Sequence, residues 1–146
     1  MASPVEPENY TPIFQLRWEV LRKPWAQPPG SEQDDLEYQA IHRVITTPGK
    51  DSPVLACGRI HQADALSAQI RYMAVGENHQ GKGFGAEILK SLEQAGSELN
   101  IRQIFLHARE PALGFYLKAG YQTEAEAEPF LGIRHFRMVK SLIHHF

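Results

Sequence analysis

The chain has 146 residues, 42% hydrophobic and 22% charged, and fifteen basic against seventeen acidic side chains leave a net charge of −2. That size and composition fit one folded domain with a single core and exclude a disordered chain. The near-balance of charge argues against non-specific nucleic-acid binding. No apolar run approaches the ~20 residues of a bilayer-spanning helix, so no membrane role is expected.

The opening residues, MASPVEPENYTP, lack the basic and apolar regions of a signal peptide, and a lone cysteine, Cys57, forms no internal disulfide. A reducing, cytoplasmic setting is the expectation. Residues 1–10 are rich in Pro and Glu and read as a loose lead-in, with 11–146 as one domain. Seven histidines stand at 42, 61, 79, 107, 135, 144 and 145. None is four residues from another, the spacing that puts two imidazoles on one helix face, so no metal is expected.

In chain order, Thr11 and Pro12 make a good helix start, with Thr as N-cap. Phe14, Trp18 and Leu21 then recur at helical spacing, which predicts an amphipathic helix over 12–22. Trp18 belongs on its core face. Pro24, Pro28, Pro29 and Gly30 end the helix in a loop reaching about Asp35. Strand-like runs follow at 37–46, 54–61 and 67–75, separated by TPGKDSP (47–53) and QADAL (62–66), and suggest an antiparallel meander. Cys57 falls inside the second run, where it is expected to be buried. In the third, Ser67, Gln69 and Arg71 alternate with Ala68, Ile70 and Tyr72.

From Gly83 the period changes. Phe84, Ile88, Leu92, Ala95 and Leu99 share one helix side, and Asn100 ends the pattern. A short strand at 102–108, a helix at 111–121 with Pro at its start and Gly120 at its end, and a last strand from 135 to 140 complete the order. The class is α/β (α+β) with a mixed sheet.

One stretch demands an explanation. NHQGKGFGAEIL places Gly81, Gly83 and Gly85 at every second position, beside Lys82, where a helix begins. The first N–H groups of a helix lack internal partners, and the aligned peptide dipoles put partial positive charge there. Small residues let an anion such as a pyrophosphate approach those groups. The spacing is not that of a P-loop, because Lys82 precedes the glycine and no Ser or Thr follows, nor of the dinucleotide fingerprint G-x-G-x-x-G.

What remains, Gln80-x-x-Gly83-x-Gly85 after a strand, resembles the acetyl-CoA loop of the GNAT family of N-acetyltransferases. Phe115-Tyr116 with Gly120-Tyr121 resembles the family's later helix signature, and the likeness runs from about residue 16 to 140. QLRWEVLRKPW and the late Gly132-Ile133-Arg134-His135-Phe136-Arg137-Met138 are similar to the ElaA-like branch, with Arg134 where that branch has proline.

The resemblance implies a mostly antiparallel sheet flanked by helices and splayed between its fourth and fifth strands. It implies that Gln80, Gly81, Lys82, Gly83, Phe84, Gly85 and Ala86 hold the cofactor's pyrophosphate, and that Met73, Ala74 and Val75 pair with its pantetheine. It implies Tyr116 as general acid and direct transfer of the acetyl group of acetyl-CoA to a small-molecule amine, a peptide amine being less expected. Arg109 stands where relatives carry a cofactor-touching Asn or Gln, so that contact is not carried over. For the base, His135, His107 and Glu110 are candidates, and the ordinary histidine pKa of ~6.5 favours His135. A non-catalytic acyl-CoA-binding domain on the same fold is the alternative. Arg17, Arg22, Arg71 and Arg137 favour an acidic acceptor, although arginines on helices and sheets are commonly paired or solvated. The acceptor's end of the site is expected around Trp18, Arg22 and Trp25, and an exposed sheet edge near the C-terminus would support a homodimer.

Overall fold

The computed structural model of the protein describes residues 1–48 and 53–142. Residues 49–52 of the expected turn, with His144 and His145, lie outside the described residues.

The first helix, α1 (Tyr10–Leu21), begins before the expected residue 12, because a 3-10 turn at Pro7–Asn9 leads straight into it. Thr11 therefore lies inside the first turn, and the capping position falls to Asn9 without a side-chain cap bond. Tyr10 is the reason for the early start: its ring is buried with its centroid 4.3 Å from that of His42. The lead-in is not wholly loose either, since the short strand β1 (Ser3–Pro4) pairs with Val44 and Arg43.

Strands β2 (Ile41–Thr46), β3 (Val54–Gln62) and β4 (Ser67–Val75) form the expected antiparallel meander. β2 starts four residues later than the sequence pattern suggests. Residues 36–39 turn instead, so that Glu37 is buried as a counter-ion. Helix α2 (Phe84–Glu98) follows, then β5 (Gln103–Arg109). The expected helix at 111–121 is a 3-10 turn at Glu110–Ala112 continued by a short α3 (Leu113–Lys118), closed by Gly120 at φ +96°. β6 (Gln122–Phe130) was not anticipated, and it pairs with β7 (Ile133–Ser141). It escaped the sequence pattern because it is an edge strand exposed along nearly its whole length, with Glu124, Glu126 and Glu128 in place of an apolar row.

The sheet runs β1-β2-β3-β4-β5-β7-β6, antiparallel except between β4 and β5. Consecutive strand residues face opposite sides, and the two cores divide accordingly. Ile45, Ala56 and Ile60 pack with Ile88, Leu89 and Leu92 of α2 and with Tyr116 of α3. Val44, Cys57 and Ala74 pack with Ile13 and Leu16 of α1 on the other face.

β4 and β5 pair over three residues only, Ser67, Ala68 and Gln69 with Gln103, Ile104 and Phe105. Beyond Gln69 they part, which is the splay expected from the resemblance. A bulge accompanies it: between the pairs Arg59 with Arg71 and Cys57 with Ala74, β4 carries one extra residue. Tyr72 takes it up at φ +57°, a region that costs a non-glycine residue roughly 1–2 kcal/mol. The alternation shifts there. Ala68 and Ile70 lie in the α2-side core before the bulge, and Met73 and Val75 adjoin it after.

A buried ionic network holds the α1 side. Arg17, fully buried, donates to Glu37 Oε2 at 2.9 Å. Glu37 Oε1 lies 3.1 Å from Arg59, which also donates both its terminal nitrogens to Asp34 at 2.6 and 2.9 Å. His42 Nε2 donates to the Glu37 carbonyl at 2.8 Å, leaving Nδ1 to accept from Arg17 at 3.4 Å. Removing one partner of such a group strands the others without compensation. Glu37→Gln is therefore expected to lower unfolding free energy by about 3 kcal/mol in urea melts; a loss within experimental error would show that Asp34 alone neutralises both guanidinium groups.

Candidate active site

The parting of β4 and β5 opens a cleft of about 480 Å³ through the sheet. Its walls are β4 from Gln69 to Met73 and β5 from Leu106 to Arg109. Ala112 and Tyr116 close it on the α2 face, Arg22 and Trp25 on the α1 face, and Phe130, Leu131 and His135 across the end. Residues from both faces of the sheet thus meet in one opening, as a reaction between two separately bound molecules requires.

On the α2 face, Val75 leads by a 3-10 turn at Glu77–His79 to the glycine loop. Gly81 and Gly83 have φ of +81° and +82°, and an added Cβ at either would meet nothing within 4 Å. They are required for backbone direction. Gly85 is different, since a Cβ there would lie 3.3 Å from the Phe115 ring, so it lets α2 approach α3 closely. Gly83 is the N-cap of α2 with no side-chain cap bond. The free first-turn N–H groups and the dipole remain available to an anion. Lys82 is exposed beside them, and Gln80 Nε2 reaches back to the Val75 carbonyl at 3.4 Å.

That last contact also fixes the open edge of β4. Gly76 N–H donates to Leu55 O on β3. By the alternation of strand groups, Val75 and Met73 turn their amides and carbonyls to the side that β5 has vacated. Ala74 faces β3 through its main chain, so of the three residues expected along the pantetheine its neighbours face the cleft side, the Val75 carbonyl accepting there from Gln80.

Tyr116 lines the cleft with 8% of its surface exposed. Its ring lies edge-on to Phe115 and Tyr121, and burial pushes the phenol up to about 12, with Arg109 acting weakly in the other direction. It is a proton carrier at any physiological pH. His135 stands on β7 opposite Arg109 of β5. Its Nδ1 lies 2.9 Å from the Ile133 carbonyl, which can only accept, so Nδ1 is the donor and the lone pair of the neutral ring is on Nε2. His107 also lines the cleft, its pKa lowered by burial and then by Arg137 and Arg71. Glu110 is paired with Arg134 at 3.2 Å and does not line the cleft. The sequence reading gave no role to Glu128, which the unanticipated β6 brings to the cleft wall.

At the other end, Trp18 is half-buried and donates Nε1–H to the Gln27 carbonyl at 2.9 Å, which ties α1 to its following loop. It does not line the cleft; Trp25 does. Of the four arginines expected to favour an acidic acceptor, Arg17 is held by Glu37, Arg71 by Asp34 and Arg137 by Glu124. Arg22 alone has no ion pair among the described residues. Cys57 is fully buried and its thiol is pushed up to about 11 by burial. Among the described residues no three of His, Cys, Asp and Glu gather as a metal site would need, and no helix is long and apolar enough to cross a membrane.

Comparison with known proteins agrees with this geometry. The model of the acetyltransferase (GNAT) family matches residues 10–121. The chain is 34% identical over 135 residues to the uncharacterized N-acetyltransferase YjcF of Bacillus subtilis, covering 91% of this chain and 93% of that one. Among solved structures, ElaA of Escherichia coli superposes with a TM-score of 0.77 at 21% identity, over 96% and 98% of the two chains. A GNAT acetyltransferase of Elizabethkingia anophelis with acetyl-CoA bound gives 0.76 at 16% identity, over 97% of each chain. The likeness to these two structures is one of fold. A through-sheet cleft beside an uncapped glycine-rich helix start, matched by a family model over most of its length, places this chain in the GNAT family of acetyl-CoA-dependent acyltransferases.

Proposed function

We propose that the protein transfers the acetyl group of acetyl-CoA directly to the amine of a small molecule. The observation that carries this reading is the cleft itself. It runs from Met73 and Tyr116 on the α2 face to Arg22 and Trp25 on the α1 face, and its β4 wall leads on through Val75 to the anion-ready start of α2. In this reading the pyrophosphate sits over Gly81, Lys82, Gly83, Phe84, Gly85 and Ala86, with Gln80 at its flank. The pantetheine lies along β4 as an added strand. A chamber of this size suits a small acceptor better than a peptide.

The chemistry follows from the groups present. The acceptor nitrogen attacks the thioester carbonyl carbon; a C–N bond forms, and the C–S bond breaks as the tetrahedral intermediate collapses. A main-chain N–H at the free edge of β4, at Met73 or Val75, is placed to stabilise the oxyanion. The proton lost from the amine goes to Nε2 of His135, directly or through water, and the sulfur ends as CoA thiol. Tyr116 donates to that sulfur. With the phenol raised to about 12 and a thiol near ~8.5, complete transfer in the unliganded site would run uphill by roughly 5 kcal/mol. Tyr116 therefore acts as a hydrogen-bond donor to the developing thiolate and keeps its own proton, while the proton that His135 took from the amine passes through water to the sulfur.

Two outcomes test the reading. Calorimetric titration with acetyl-CoA is expected to show binding that Gly83→Glu weakens by about a hundredfold, since the variant adds a side chain at positive φ and a like charge to the anion site. Equal binding by both proteins would remove the glycine loop from the cofactor site. Tyr116→Phe is expected to lower kcat by about a hundredfold with KM for acetyl-CoA unchanged, the usual scale for a positioned proton donor. Unaltered kcat would show that the thiolate leaves without Tyr116.

A further inference from the structure

The acceptor chamber carries charge in an unusual balance. Arg22 is 8% exposed, at the end of α1. Its Nε donates to the Ser31 carbonyl at 3.0 Å and one terminal nitrogen to the Leu21 carbonyl at 3.0 Å. These bonds fix the plane of the guanidinium, yet none of them comes from a carboxylate. The ring of Phe130 lies 4.9 Å below it. Arg109, at the end of β5, stacks at 5.3 Å on Trp25 and makes no ion pair among the described residues. Both line the cleft; burial lowers the Arg22 pKa, with Arg71 and Arg109 acting in the same direction and Tyr72 and Glu32 against it. Arg17, Arg59, Arg71, Arg134 and Arg137 have carboxylate partners, while Arg43, away from the cleft, donates to Ser91 Oγ at 3.1 Å and Arg102 is exposed.

The two buried arginines elsewhere, Arg17 and Arg59, are neutralised, whereas buried Arg22 and half-buried Arg109 share the wall of one cleft without an ion pair among the described residues, each against an aromatic ring. Burying a cation without a counter-ion is unfavourable, and the deficit disappears if the ligand brings the negative charge. Planar guanidinium groups are suited to grip a carboxylate through paired N–H donors. Among the described residues, the acidic side chain lining the same cleft is Glu128, on the β6 wall. A molecule with an amine at one end and a carboxylate at the other would find a complement for both.

We propose that the acceptor is a small amine that carries a carboxylate, an amino acid in the broad sense, with Arg22 and Arg109 binding the carboxylate and directing the amine toward the thioester. The inference rests on the acetyl-transfer reading above. Arg71 reaches the same cleft, but Asp34 holds it at 3.1 Å, so it is a flank of the chamber and not the clamp.

The test is a matched panel of amino acids and their primary amides, assayed with acetyl-CoA by release of free thiol. The amide keeps the amine and the shape and removes the charge; it also makes the amine less basic, which favours the amide, so a preference for the acid is not produced by amine reactivity. At least one acid is expected to exceed its amide in kcat/KM by about tenfold or more, the scale of a charge-assisted bidentate contact. In Arg109→Met, which removes the charge without supplying the amide that relatives carry there, that ratio is expected to fall towards one through a rise in the acid's KM. No acid exceeding its amide in the wild-type protein would overturn the proposal, as would a ratio that survives Arg109→Met. Acetyl-CoA titration of the same samples separates the two levels: binding without acid preference removes the carboxylate clamp alone, whereas no binding removes acetyl transfer and the clamp with it.

Discussion

Everything about this site depends on two neighbouring strands that stop pairing. β4 and β5 share three residue pairs and then part, so β4 turns main-chain groups at Met73 and Val75 to the side β5 has left, where the Val75 carbonyl accepts from Gln80. Unpaired main-chain groups in an interior strand are unfavourable unless something else satisfies them. The extra residue at Tyr72 helps to turn β4 aside, and its backbone is strained. The strain is offset where it arises: the Tyr72 ring has Arg17 at 4.3 Å, Arg71 at 4.6 Å and Arg59 at 5.0 Å, and such cation–ring contacts contribute about 0.5–2 kcal/mol each. The ionic network that holds those arginines is thus part of what keeps the cleft open.

The same arrangement separates two electrostatic tasks. On the α2 face the attraction for anions comes from backbone: uncapped N–H groups and a helix dipole, with Lys82 as the nearby charged side chain. On the α1 face it comes from side chains fixed by carbonyls and aromatic rings. Between them stand Tyr116, whose burial keeps its proton in place, and His135, whose bond to Ile133 leaves one nitrogen free to accept. Backbone recognition suits a ligand part that is constant, such as a pyrophosphate. Side-chain recognition suits the part by which one acceptor is told from another.

Much of this was legible in the residues. The glycine loop, the order of strand, loop and helix, and Tyr116 before Gly120 all belong to local patterns with a mechanical reason. The splay followed from family resemblance, since no local pattern tells a strand when to leave its neighbour. What escaped were features made by partners far apart in sequence. Glu37 looked like the start of a strand because nothing nearby shows that Arg17 and Arg59 would draw it inward. The segment of β6 received no element because its stability comes from pairing with β7 and from Glu126 and Glu124 meeting Arg134 and Arg137. Arg109 was noted only as a departure from relatives. Its place beside Trp25, with no counter-ion among the described residues, appears only once β5 and the end of α1 face each other.

The central claim is that the α2 start and the open edge of β4 form one continuous binding surface for CoA, ending at Tyr116. The measurement that meets it most directly is a crystal structure of the protein with CoA. The account predicts pyrophosphate oxygens at about 3 Å from main-chain nitrogens of residues 81–86, pantetheine amides paired with Met73 and Val75, and the sulfur beside the Tyr116 hydroxyl. CoA bound elsewhere, or bound in the cleft with the glycine loop untouched, would contradict it.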